Sequence, residues 1–258
     1  MTPFLFFLLS LVFLIFLSLT GRAGMGFQLP FTARPLARNQ REILNKYFPF
    51  YHKLDRKQQR IFKQKMQYFI HIKEFIPRDI DKVTDEMKVL ISACAVQLTF
   101  GFPKVMLSHF KRILVYPDDY YSTINRQYHK GEVNPRLQAI VLSWRHFVQG
   151  YIEDTSGRNL GLHEMAHALK LENRIFNGEA DFLNKDILDE WHVLAKEEID
   201  GIRSGESRMF RDYAGTNQDE FFAIAVENFF ERPEQFKELM PKLYLLMTKL
   251  LRQSPINN

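Results

Sequence analysis

The stretch NLGLHEMAHALKLEN, residues 159 to 173, sets His163, Glu164 and His167 among apolar residues, with Lys170 and Glu172 following. Leu160, Leu162, Ala166 and Leu169 recur at helical spacing, so the segment predicts a helix buried in the core. A core helix keeps polar groups only where partners satisfy them, so the rest of the chain must fold to supply those partners. At about 100° per residue, histidines four positions apart lie about 40° from each other around the axis, and both imidazoles can meet one cation. Glu164 stands beside them, where a carboxylate can take a proton from a water held in the fourth position and return it to a leaving amine. The pattern H-E-x-x-H is a metalloprotease signature. With eight His in the chain, chance yields about 0.02 such matches, which favours the metal reading over coincidence. On spacing alone, a core helix whose histidines are merely hydrogen-bonded stays open.

A metal centre of this kind needs a third protein ligand. Glu172, Glu179, Asp181 and His192 are too close or too poorly placed to favour individually. The segment DYAGTNQDEFFAIAVENFF, residues 212 to 230, is a better source: an intensely apolar helix that begins with Glu220 and carries Glu227 two turns later on the same face. We read Glu220 as the ligand and Glu227 as an acceptor for a histidine N–H, with a solvated carboxylate as the alternative for Glu227.

The chain begins with 21 residues free of charge, Met1 to Gly21, which as a helix reach roughly 30 Å, enough to cross a bilayer. MTP supplies no basic n-region, so a retained anchor is expected ahead of a cleaved signal, although Gly21-Arg22-Ala23 resembles a weak cleavage site. From Arg22 to Lys65 there are eleven Lys or Arg against Glu42 and Asp55, which places the body on the cytoplasmic side. The single cysteine, Cys94, permits no intramolecular disulfide and agrees with that side. The net charge of +5 splits into +9 up to Lys65 and −4 beyond it, so basicity belongs to the membrane-proximal part. With a mildly acidic body and no recognition motif, no nucleic-acid partner is expected.

Three segments are expected: an anchor at 1–21, a basic linker at 22–38 and a body at 39–258. Residues 39 to 76 predict two helices separated near FPFYHK, and Thr84 caps a third, largely buried one. RILVYP (112 to 117) and QAIVLSW (138 to 144) are strand-like. Helices are expected again at about 158 to 172, 182 to 203, 217 to 230 and 235 to 252, with Pro233 and Pro241 as punctuation. The fold class is α+β, mainly helical with a small mixed sheet. His52, His71, His109, His129, His146 and His192 lack partner spacing and read as surface or hydrogen-bonded residues; His129 falls in a hairpin, RQYHKGEVN.

LSW at 142 to 144, NLGLHEMAH at 159 to 167 and YAGTNQDEFFAIAVENFFERPEQF at 213 to 236 resemble the Mlc titration factor A family of zinc peptidases. These are gluzincins, related at the active site to the lethal factor of anthrax toxin, and the resemblance spans roughly residues 40 to 255. It implies a zincin-like body, Zn2+ held by His163, His167 and Glu220, Glu164 as general base, and Tyr213 as a hydrogen-bond donor to the oxyanion; a Tyr213 that merely tethers its loop is the alternative. It further implies a peptide or protein substrate and, in the family, a transcriptional regulator as partner. The strand QAIVLSW would be the edge along which the substrate extends. Lys170 departs from the family, which usually has Asp three residues after the second His. Together these features predict a single-pass, membrane-anchored zinc metallopeptidase, with trimming of N-termini, as an aminopeptidase does, and internal cleavage both open. The rival is a catalytically silent binding protein of the same fold that docks a regulatory protein at the membrane, and export after signal cleavage is the alternative location.

Overall fold

The computed structural model describes residues 35–122, 126–153, 155–175, 182–206 and 209–256. The expected anchor at 1–21, and the expected linker up to residue 34, lie outside the described residues. Among the described residues no helix is long and apolar enough to cross a membrane.

The first helices are α1 (Arg38–Tyr47), α2 (Pro49–Lys53), α3 (Arg56–Ile72) and α4 (Asp85–Thr99). Asp55 starts α3 by accepting from Gln58 N at 2.8 Å while the Gln58 side chain returns a bond to Asp55 N at 2.9 Å. Thr84 Oγ1 caps α4 as expected, accepting from Met87 N. Every residue of α4 from Val89 to Thr99 is buried, so this helix has no polar face and forms the centre of the core. Helices α1 and α3 pack on it, and so does α6 (Leu160–Ile175), the helix of the H-E-x-x-H motif.

The sheet has the order β1-β2-β6-β5, with β1 (Glu74–Pro77), β2 (Arg112–Tyr116), β5 (Gly131–Asn134) and β6 (Ala139–Ser143). Strands β1, β2 and β6 run parallel, and β5 is antiparallel to β6. Strand β6 is buried along its whole length between β2 and β5. It therefore cannot be the substrate edge expected from the sequence; β5, which among the described residues pairs with β6 alone, is the edge strand on that side of the sheet. A separate hairpin joins β3 (Tyr120–Ser122) to β4 (Gln127–His129).

Helix α5 (Trp144–Ile152) follows β6 directly, and α6 then lies across β5 and β6. Beyond α7 (Lys185–Ser204), closed by Gly205 at φ 80°, a 3-10 turn at Asp212–Gly215 leads into α8 (Gln218–Glu231), which packs on α6. The helical signal at 235 to 252 resolves into α9 (Pro233–Leu239) and α10 (Pro241–Leu251), each opened by the proline expected to punctuate it.

Candidate metal centre

Helix α6 can press against its neighbours because residue 161 is glycine: a Cβ there would stand 2.5 Å from the Phe147 ring and 2.9 Å from Cys94 Sγ. Its N-terminus is fixed by Asn159, whose Oδ1 accepts from Leu162 N at 3.0 Å and whose own N donates to Glu227 Oε2 at 2.6 Å. Helix α8 is started by Asn217, whose Oδ1 accepts from Asp219 N at 2.8 Å and Glu220 N at 2.9 Å. These two caps place α6 and α8 so that the side chains read from the sequence converge.

His163 Nε2 lies 3.1 Å from His167 Nε2 and 3.1 Å from Glu220 Oε2, and His167 Nε2 is 3.4 Å from Glu220 Oε1. On the other side of its ring, His163 Nδ1 stands 2.7 Å from Glu227 Oε1. Glu227 is 1% exposed, which overturns the solvated alternative; Arg211 also donates to it, Nη2 to Oε1 at 2.8 Å and Nη1 to Oε2 at 3.1 Å. A carboxylate against Nδ1 assigns the Nδ1–H donor to neutral His163 and leaves Nε2 with a lone pair. That lone pair then faces a carboxylate oxygen and the second imidazole. Glu220 Oε2 is shielded from solvent and has no hydrogen bond among the described residues. Such a set of acceptors needs a cation at its centre, either a proton or a metal, and His163, His167 and Glu220 fit a metal.

The electrostatics agree. Burial works against a charged His163, but Glu220 and Glu227 outweigh it and raise the imidazole to about 10. Burial likewise works against ionised Glu220, and the two imidazoles outweigh it, drawing the carboxyl down to about 2. Glu164 differs: its burial dominates and lifts its carboxyl above the ordinary range despite both histidines.

Two adjoining cavities of about 680 and 290 Å³ meet at this cluster, and His129, His163, Glu164 and Tyr213 line both. Tyr213 comes from the 3-10 turn and is 53% exposed, so its hydroxyl is open to the cleft. Burial, then the negative charge of Glu220 and Glu164, raises its phenol. Glu164 lies against β5, where a Cβ on Gly131 would fall 2.5 Å from Glu164 Oε1.

The structure thus brings together His163, Glu164, His167, Glu220, Glu227 and Tyr213, the residues singled out in the sequence. Glu172, not favoured from the sequence, accepts from Ser108 N and His109 N. His52 and His109 hydrogen-bond to the carbonyls of Asn45 and Pro135, as bland histidines should. His129 borders the cleft. A second group, Asp118, Asp119 and His146, is a surface ion-pair cluster in which Arg145 Nη1 already stands 2.6 Å from Asp118 Oδ2. Sequence reasoning missed Arg211 and Gly131, for which no spacing gives a signal, and Asn159, whose signal was its place just ahead of an apolar helix.

The sequence profile of the glucose-regulated metallo-peptidase M90 family matches residues 28–252. A protein named Mlc titration factor A from Pectobacterium atrosepticum is 32% identical over 213 residues, 73% of this chain and 76% of its own length. Another of that name from Edwardsiella ictaluri is 28% identical over 224 residues, 78% and 82% of the two chains. An uncharacterized protein of Synechocystis is 26% identical over 240 residues, 87% of each. With the matched span covering the described residues up to 252, including the candidate metal-ligand cluster, the chain belongs to the glucose-regulated metallo-peptidase M90 family.

Proposed function

We propose that this protein is a zinc-dependent peptidase in which His163, His167 and Glu220 hold the ion and Glu164 is the general base. The observation that carries the reading is the inward-facing set of His163 Nε2, His167 Nε2 and the Glu220 carboxylate, with separations of 3.1 to 3.4 Å. Nitrogen and oxygen ligands at about 2.0 to 2.1 Å from a tetrahedral zinc stand roughly 3.3 Å apart, which favours zinc over larger, oxygen-seeking cations. When bound, zinc polarises a carbonyl and eases deprotonation of water.

This chain's residues supply the rest. Glu227 and Arg211 hold the His163 ring in one tautomer and orientation. Glu164, partly desolvated and open to both cavities, takes a proton from the attacking water as its oxygen bonds to the scissile carbon. It then delivers that proton to the amide nitrogen as the C–N bond breaks. The Tyr213 hydroxyl donates to the carbonyl oxygen as charge gathers there. The free edge of β5, beside Glu164, receives the substrate as an added strand.

Metal analysis and peptide turnover on wild type and Glu164→Gln test the reading. Near-stoichiometric zinc in both, with turnover in wild type alone, is expected. Zinc in both with turnover in neither would favour the silent binding protein instead, whereas a folded protein without zinc would remove the ligand assignment. We further propose that residues 1–21 anchor the body on the cytoplasmic face, on the support of the uncharged run and the cations that follow it; protease accessibility in membrane vesicles reads that topology. The relatives' name, Mlc titration factor A, supports a regulatory protein as a further partner.

A further inference from the structure

His129 ends β4 and is half-buried, yet it lines both cavities together with Glu164 and Tyr213. Its ring is propped from behind: it stacks on Tyr120, directly opposite it in the hairpin, with centroids 6.2 Å apart, and Tyr120 stacks on Tyr116 at 4.4 Å. The corner between β4 and β5 is pinned where Lys130 O accepts from Ser143 N at 2.7 Å. The next residue, Gly131, lies so near Glu164 that a Cβ there would fall 2.5 Å from its Oε1. The hairpin therefore faces the catalytic end of α6. Tyr120 feels this too, since burial and then the negative charges of Glu132 and Glu164 raise its phenol.

Within this frame His129 Nε2 is shielded from solvent and has no hydrogen-bond partner among the described residues. A buried imidazole nitrogen left unpaired costs free energy, and structures retain such groups where something else pairs with them. Glu164, Glu220 and Glu132 make the cleft rich in acceptors, whereas a bound peptide needs donors for its carbonyl oxygens. A neutral imidazole carrying its proton on Nε2 is such a donor.

We infer that His129 is a substrate-binding residue whose Nε2–H donates a hydrogen bond to a main-chain carbonyl oxygen of the bound peptide, across the cleft from Tyr213. The inference rests on the peptidase reading for the nature of the ligand. The bond forms on binding and persists through the reaction, so its loss weakens binding and lowers kcat/KM together. A ring fixed by stacking loses little freedom when it makes that bond.

The test uses the full, metal-loaded chain and fluorescein-labelled oxidised insulin B chain as the peptide. Anisotropy titration of Glu164→Gln reads binding without turnover. Adding His129→Ala should raise Kd about tenfold, the worth of one buried hydrogen bond. His129→Gln, which carries an N–H at similar reach, should stay within about threefold of the parent. His129→Phe keeps the stack on Tyr120 and removes the donor, so it should match His129→Ala and carries the comparison if alanine impairs folding. Metal content and thermal midpoint should not move. A Kd unchanged in both Ala and Phe variants, no recovery by Gln, or no peptide binding by the parent would overturn the inference. Turnover of the unlabelled peptide separates the two claims. Wild type without turnover but with the binding pattern intact removes the peptidase reading and leaves His129 standing; turnover that needs Glu164 but not His129 does the reverse.

Discussion

Lys170 Nζ lies 2.7 Å from Asp219 Oδ1, an oxygen that also receives Arg174 Nη2 at 2.8 Å. Lys170 is 4% exposed and its ammonium stands 5.2 Å from the centre of the Phe222 ring. At a position where relatives were expected to carry an acid, this chain has a base, and the acid stands on α8 directly before Glu220. The pair ties α6 to the first turn of α8, the two helices that present the proposed metal ligands. Burial lowers the Lys170 ammonium, and Asp219 pulls the other way. Lys170→Asp would set two carboxylates face to face and should cost on the order of 3 to 5 kcal/mol along with metal occupancy. Asp219→Lys in that background should recover more than half of the loss. Thermal melts and metal content across the four proteins of the cycle measure the coupling, and simply additive costs would mean that the pair contributes nothing to the site.

Metal binding should be coupled to protons through His163. In the metal-free protein burial opposes its charge, but Glu220 and Glu227 hold the imidazole at about 10. Only the neutral ring binds a metal, so the incoming ion must displace a proton. Affinity should rise about tenfold per pH unit on the acid side of that value and level off above it. Calorimetry near neutral pH in two buffers of different ionisation enthalpy should show about one proton released per metal. Glu227→Gln should weaken metal binding by about 10- to 100-fold and move the levelling-off to lower pH. Proton release indistinguishable from zero would refute the coupling.

The parts of this fold legible in the sequence are those held by local rules. Thr84 capped α4 because a side-chain oxygen ahead of an apolar run satisfies orphan N–H groups, and His163 and His167 met because helix geometry alone fixes their separation. Glu227 was recognised as a partner for a histidine, but Arg211 was not, since a residue in irregular chain reaches it without any period in the sequence. The short strand β1 carries too few alternating apolar residues to announce itself; β4 and β5 fall within the expected hairpin RQYHKGEVN but pair with β3 and β6 rather than with each other, and the role of β5 as an edge follows from pairing order, a non-local property. Lys170 was visibly odd, and its partner Asp219 became identifiable only when α6 and α8 were packed.

Gly131 is the narrowest point between β5 and the proposed base. A Cβ there would come within 2.5 Å of Glu164 Oε1 and 2.7 Å of its Cγ, so Gly131→Ala must displace the carboxylate rather than nudge its tip. Misplacement of a general base by about 1 Å can cost on the order of 100-fold. Gly131→Ala should therefore lower kcat by about that factor with zinc content unchanged. Turnover within a few-fold of wild type, measured together with metal content, would show that Glu164 acts from another position.

Glu231 makes stability depend on pH in the opposite sense to most carboxylates. Burial, reinforced by the charge on Glu227, lifts its carboxyl to about 7 against the donors at Asn159, Gly157 and Arg158. Its Oε2 accepts from Arg158 N at 3.1 Å. A raised folded-state value means that the folded protein prefers the protonated form. The stability it contributes is therefore complete below the unfolded value of about 4.5 and falls away as pH rises through about 7. Glu231→Gln keeps the acceptor for Arg158 and supplies a neutral group at all pH. The variant should be more stable than wild type at about pH 8, by up to roughly 3 kcal/mol, and lose that advantage on approaching about pH 5. Denaturant unfolding of both proteins across this range measures the difference, and parallel pH profiles would mean that Glu231 ionises in the folded state as it does in the unfolded chain.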